Sequence, residues 1–258
     1  MLRMVTIAML LALVFPSIAP ASDVAKEKRW ADQIVDALID GDAVWLQADG
    51  QEFLGIFTEA EGGGGKRAAI IAHGIGVHPD WPQVVYPLRT GLPPEGWSTL
   101  SLQMPVLPNS AAADGYAALM DEVPARLDAG IAFLREQGAE TIVLIAHSMG
   151  ATMTAYYLST GDRDVDGFVA IGMGGGLGEG VIDTTDMVTR ISVPMLDLHG
   201  SEDLAQVLKA VPERDEAKAA DGAYTRQRVD GANHFFDGKE DALVDAVDTW
   251  LGTTIAQP

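Results

Sequence analysis

A chain of 258 residues with 48% hydrophobic composition and a mean hydropathy of +0.13 has the length and apolar content of one α/β domain around one large core. Its 37 acidic residues against 17 basic ones give a formal charge of −20, which argues against nucleic acid or anionic lipid as partner, since both need basic patches that displace counterions. The acids are dispersed, as solubility requires, and with no cysteine the fold must be held by packing rather than by disulfides.

Residues 1–21 read as a secretory signal, with Arg3 ahead of an apolar run from residue 5 to 15, then Pro16 and the small-residue site Ala19-Pro20-Ala21. The run is short for a bilayer span, and no cysteine is present to carry a lipid. Cleavage after Ala21 is therefore expected, leaving 22–258 as a single periplasmic domain without a stable membrane anchor and, through loss of Arg3, one charge more negative.

Residues 22–40 form the lead-in, where Trp30, Ile34, Val35 and Leu38 recur at helical spacing. Strand-like runs at 43–47 and 52–58 flank Asp49-Gly50, a strong hairpin signal. After the glycine-rich loop 61–66 comes a buried strand at 67–72 that ends in His73-Gly74. Further buried strands are expected at 98–103, 141–146, 167–172, 194–199 and 225–229. Helices are expected at 82–92, 113–137, 149–159, 204–220 and 239–251. Pro124 should kink or restart the long third stretch, because proline cannot donate the intrahelical bond. Strand and helix in alternation predict a mostly parallel sheet with helices on both faces, and catalytic groups at the carboxyl ends of the strands.

One such end is chemically loaded. The apolar run Thr141-Ile142-Val143-Leu144-Ile145 passes directly into Ala146-His147-Ser148-Met149-Gly150 and then into a helix. This is the context of a nucleophile elbow, whose strained serine needs small residues two positions before and after it. The common pattern has glycine where Ala146 stands, a mild departure because a methyl still fits. The pentapeptide is similar to that of small Bacillus-type lipases, and the arrangement resembles the α/β-hydrolases.

A serine hydroxyl needs a base, and the base an orienting acid, supplied in α/β-hydrolases in the chain order Ser, Asp or Glu, His. His234 is the one histidine in a loop between the last strand and the last helix. His73, His78, His147 and His199 are better explained by local hydrogen bonding or pocket lining. Asp203, just beyond the penultimate strand, is the expected acid; Glu202 is its close rival, and Asp197 a third within the strand. Backbone N–H groups of Met149 and Ile75 are expected to meet the oxyanion. Trp81, Met104, Leu107, His147 and the glycine-rich loop 173–180 are candidates for the pocket, with core packing an equal reading.

Neither metal nor cofactor is expected: no His/Asp cluster has ligand spacing, and the glycines at 172–178 lack the Lys-Ser/Thr ending of a phosphate loop. The 174–193 connection is too short for a large lid, so an open cleft for a small or extended acyl group is expected.

Two further segments, His73-Gly74-Ile75-Gly76-Val77-His78-Pro79-Asp80-Trp81-Pro82 and Gly96-Trp97-Ser98-Thr99-Leu100-Ser101-Leu102-Gln103-Met104-Pro105-Val106-Leu107, join Pro194-Met195-Leu196-Asp197 and the Gly-Ala-Asn-His loop. Together they resemble an exported proteobacterial family of α/β-hydrolase-like proteins of unknown function, over nearly the whole mature chain. The resemblance implies the hydrolase fold and the roles of Ser148, Asp203 and His234, but no substrate. The leading expectation is hydrolysis of a carboxylic ester or thioester. Amide hydrolysis or acyl transfer would use the same residues, and the alternative from another class is a non-catalytic periplasmic binding or envelope-assembly protein. No oligomeric state is expected from these features.

Overall fold

The computed structural model describes residues 21–62, 65–178 and 180–255; apart from Ala21, the expected signal lies outside them. Strands β1 (Asp42–Ala48) and β2 (Gln51–Thr58) form the hairpin. Its turn residues Asp49 and Gly50 both have positive φ, 49° and 77°, the backbone hand that matches strand twist.

The remaining strands are β3 (Arg67–Ala72), β4 (Ser98–Leu102), β5 (Thr141–His147), β6 (Gly167–Ile171), β7 (Gly176–Leu177), β8 (Ile182–Asp183), β9 (Met195–Glu202) and β10 (Tyr224–Asn233). Eight of them make one sheet in the order β1-β2-β4-β3-β5-β6-β9-β10. β2 is antiparallel to both its neighbours, and every other pairing in the sheet is parallel. Helices are α1 (Val24–Ala37), α2 (Val85–Gly91), α3 (Val123–Glu136), α4 (Met149–Ser159), α5 (Thr184–Thr189), α6 (Ala205–Ala217) and α7 (Glu240–Trp250).

The central strands are apolar on both faces because both are covered. Ile70, Leu144 and Phe168 pack into the core shared with Leu127, Leu134 and Tyr157 of α3 and α4. Their sequence neighbours Ile71, Ile145 and Val169 turn to the opposite core, with Leu88 of α2 and Leu243, Val247 and Trp250 of α7. The period of two in a strand thus divides one continuous apolar run between two layers.

Helix α1 lies against β2 through Ala31, Ile34, Leu54 and Ile56. Val35, expected on its buried stripe, is instead 39% exposed. Two polar anchors fix this helix: Lys26 Nζ donates to the Leu107 carbonyl at 2.8 Å, and Glu27 pairs with Arg126 at 2.8 Å. Burial raises the Glu27 pKa, with Arg126 opposing it.

Pro124 acts as expected. Residues Ala113–Glu122 form a 3₁₀ segment, and α3 restarts with Pro124 in its first turn, where its missing N–H costs no helical bond. The 174–193 connection is less plain than expected, because it carries the two-stranded β7–β8 ribbon and the six-residue α5. Elements this short leave no period to read. They add no large lid.

Candidate active site

Ser148 stands between the end of β5 and the start of α4 with φ 54° and ψ −119°. A non-glycine residue in this region is strained, and surrounding bonds must hold it there. Ser148 N–H donates to the Ile171 carbonyl at 2.8 Å, and its own carbonyl accepts from Ala151 and Thr152. Gly150 explains the small residue two positions on: a Cβ there would lie 2.4 Å from the His73 carbonyl oxygen and 2.6 Å from that of Ala72. Ala146, the departure from the common pattern, is buried in the strand core.

β10 ends at Asn233, which delivers His234 to the same edge of the sheet. Ser148 Oγ donates to His234 Nε2 at 3.0 Å, and His234 Nδ1 donates to Asp203 Oδ1 at 2.6 Å. The ionised carboxylate only accepts, so the imidazole proton belongs on Nδ1 and Nε2 is left as an acceptor. Asp203 follows β9 at once, and its carboxylate also accepts from Leu204 N–H at 2.7 Å and Gly200 N–H at 3.3 Å. Burial works to raise the Asp203 pKa, but the bond and charge of His234, with those two N–H groups, hold it below the ordinary carboxylate value.

The three candidate acids are thus separated by place. Glu202 is exposed at the last position of β9. Asp197 is wholly buried and engaged by Arg214. Asp203 alone of the three bonds His234.

Two other histidines brace the site. His73 Nε2 accepts from Met104 N–H at 3.0 Å, and Nδ1–H donates to the Gly74 carbonyl at 2.9 Å. That bond fixes the loop carrying Ile75. Gly74 runs so close to the elbow that a Cβ would come within 3.2 Å of Ser148 Cβ. His147 Nε2 donates to the His234 carbonyl at 2.9 Å, which holds the His234 backbone in place. The N–H groups of Ile75 and Met149 donate to no acceptor among the described residues; Met149 opens α4, where first-turn N–H groups have no intrahelical partner.

A cavity of about 500 Å³ opens beside Ser148. It is lined by Gly172, residues 174–178, Gly180, Ile182 and Asp183, by Met149 and Thr152 of α4, and by Gln206, Lys209, Ala210 and Glu213 of α6. The glycine-rich loop was legible as pocket, but three other expectations are corrected. Trp81 is half-buried against the core layer of α2 and α7, its indole N–H donating to Gln83 Oε1 at 3.1 Å. Met104 is 1% exposed in the core. His147 is turned to the His234 carbonyl. None of the three lines this cavity. Leu107, weighed with them, packs against the larger core. The α6 face went unnoticed, since exposed polar residues on a helix look like an ordinary solvated surface.

A family model described as a protein of unknown function (DUF3530) matches residues 15–124 and 108–253. The chain belongs to this family. No curated protein matches the sequence. Among solved structures, this DUF3530 protein is similar to Est1E from Butyrivibrio proteoclasticus, at 14% identity and TM-score 0.68, over 83% of this chain and 99% of the other. It is likewise similar to the Pyrococcus furiosus esterase Pf2001, at 17% identity and TM-score 0.68, over 86% and 94%. A Xanthomonas campestris α/β serine hydrolase described as without lid matches at 20% identity and TM-score 0.65, over 85% and 97%. At these identities the likeness establishes the fold alone: the DUF3530 protein has the α/β-hydrolase fold without a large lid domain.

The buried histidines make stability depend on pH. Desolvation lowers His73 from 6.5 to about 3 and His147 from 6.5 to about 4, the second with a contribution from neighbouring His234. The unfolded chain therefore takes up protons below pH 6.5 that the folded protein refuses. Stability is full above that value and falls as pH drops towards the folded values, by up to about 1.4 kcal/mol per pH unit for each histidine. The urea midpoint should fall steadily from pH 7 to 5; a midpoint flat across that window would contradict neutral burial of both rings.

Proposed function

We propose that this protein is an exported serine hydrolase that cleaves a carboxylic ester or thioester. The observation that carries the reading is the bonded chain from Ser148 Oγ through His234 to Asp203, set at the carboxyl ends of β5, β9 and β10. In the first half-reaction His234 Nε2 takes the Oγ proton as Oγ bonds the acyl carbon. Asp203 stabilises the imidazolium, and the Ile75 and Met149 N–H groups face the oxyanion. Collapse breaks the bond to the alcohol or thiol, which leaves with the proton from His234. Water then repeats the sequence on the acyl-serine, releasing the acid and restoring Ser148.

A pocket of this size fits a small-molecule substrate, and the negative charge of the chain favours that over nucleic acid. The test is a short nitrophenyl ester. Residues 22–258 should turn it over with an initial burst, and Ser148→Ala should lose at least about 10³-fold in kcat. Absence of turnover for every ester tried, or equal rates in the two proteins, would overturn the reading and favour a binding role.

Export to the periplasm is part of this proposal, and the Ala21–Ser22 junction supports it. Glu122 accepts from Ala21 N–H at 2.6 Å, from Ser22 N–H at 3.0 Å and from Ser22 Oγ at 2.7 Å. Cleavage after Ala21 would turn the Ser22 amide into an ammonium facing that carboxylate, an ion pair in place of a neutral bond. Sequencing of the protein from a periplasmic fraction should begin at Ser22. A cytoplasmic, full-length product would contradict it.

A further inference from the structure

The cavity beside Ser148 has two chemically distinct ends. Its inner end is small, closed by Met149, Thr152 and Ala210, which are 8%, 4% and 2% exposed. The side chains at its mouth are exposed and polar: Asp114, Asp183, Gln206, Lys209 and Glu213. Between them the glycine-rich segment offers backbone, with Leu177 and Ile182, each 7% exposed, as its apolar side chains. A long alkyl chain would outrun these few apolar side chains and meet the polar mouth and water.

Thr152 stands out at the inner end. It follows Ser148 by one helical turn and lines the cavity, and its hydroxyl makes no hydrogen bond among the described residues. Helical threonines commonly return their hydroxyl to the carbonyl four residues back, as Thr90 of α2 does to Tyr86 at 2.8 Å. Thr152 Oγ1 is open to the cavity rather than sealed in the core, so it can bond a group that enters there. A ligand atom placed in the cavity supplies the missing partner.

Charge at the mouth restricts which ligand that is. Three carboxylates face one ammonium, Lys209. Asp114 is fixed by Gly178 N–H at 3.1 Å, and Asp183 caps α5 through Thr185 N–H at 2.8 Å, so both hold their charges at the rim. On a chain of net charge −20, this field repels anions.

We propose that the cavity receives a short ester half that carries a hydroxyl, bonded by Thr152 Oγ1, and bears no negative charge. The substrate class is then a hydroxyacyl or polyol ester, rather than a long-chain lipid or an acyl group on a phosphorylated carrier. This rests on the serine-hydrolase reading, and narrows it.

The test compares kcat/KM in two series: nitrophenyl butyrate, 3-hydroxybutyrate and hemisuccinate, and the acetates of butanol, glycerol and glycerol phosphate. In at least one series the neutral hydroxylated member should lead the alkyl member by about tenfold, the scale of one good hydrogen bond. Thr152→Val should bring that ratio close to one, and Thr152→Ser should keep it. Glu213→Lys should raise the anionic member about fivefold at low salt, and the gain should fade at about 0.5 M salt as screening sets in. Alkyl members leading both series, or a ratio unmoved in Thr152→Val, would overturn the proposal. Failure of the hydrolase reading would look different, with neither series turned over.

Discussion

Asp203→Asn should lower kcat/KM for a short ester by about 10⁴-fold without unfolding the protein. The carboxylate fixes the imidazole proton on Nδ1, leaving Nε2 free to accept from Ser148, and it meets the positive charge that forms on the ring. An amide keeps the shape, and its oxygen can still accept from Leu204 N–H, 2.7 Å away in the native site. If its NH₂ faces His234 instead, the ring proton moves to Nε2 and the base is lost. Even with the oxygen inward, no charge balances the imidazolium. Glu202→Gln, at an exposed position one residue earlier, should change the rate less than about threefold, as surface changes away from the reacting groups do. Steady-state rates for the two variants decide between the neighbours. A larger loss from Glu202→Gln would overturn the assignment of the acid.

Arg214→Met should destabilise the fold by about 3–5 kcal/mol. Arg214 and Asp197 are both fully buried, bonded through Nε to Oδ2 at 2.7 Å and Nη2 to Oδ1 at 3.1 Å. Tyr224 adds its hydroxyl to Asp197 Oδ2 at 2.8 Å. Burial opposes the charge on Arg214, but Asp197 and Tyr224 more than offset it and raise its pKa. Removing the guanidinium leaves a carboxylate in the core with only a phenol for company. In a domain of this size Tm should drop by about 10 °C. The same arginine donates to the carbonyls of Met173 at 3.0 Å and Gly174 at 3.2 Å, so the cavity wall loosens with it. Replacing the whole group, Asp197→Leu with Arg214→Met and Tyr224→Phe, should recover much of the loss, because the cost lies in the orphaned charge. A triple variant no more stable than Arg214→Met alone would contradict that account.

The parts of this molecule legible in the sequence are those with a strong local signature. Ser148 could be found because an apolar strand, two small flanking positions and a helix meet at one turn. Asp203 and His234 could be found because the chain order places each just past a strand end. Asp197 shows the limit of such reasoning: a carboxylate inside a strand reads as an unlikely third acid, and its partner, 17 residues on, has no pattern that announces it. The pocket was misplaced at Trp81, Met104 and His147 because a strand end says where a residue starts, not which way its side chain turns. Gln206, Lys209 and Glu213 were missed because polar residues facing a cavity and polar residues facing water have the same spacing. The unpartnered hydroxyl of Thr152 needs the surrounding atoms to be seen at all.

The most direct test of the central claim is covalent labelling of Ser148. Residues 22–258 treated with a fluorophosphonate should gain one adduct, located by peptide mass spectrometry on Ser148. Ser148→Ala should gain none, and His234→Ala should label far more slowly. Equal labelling of the wild type and Ser148→Ala, or an adduct on another residue, would contradict the assignment.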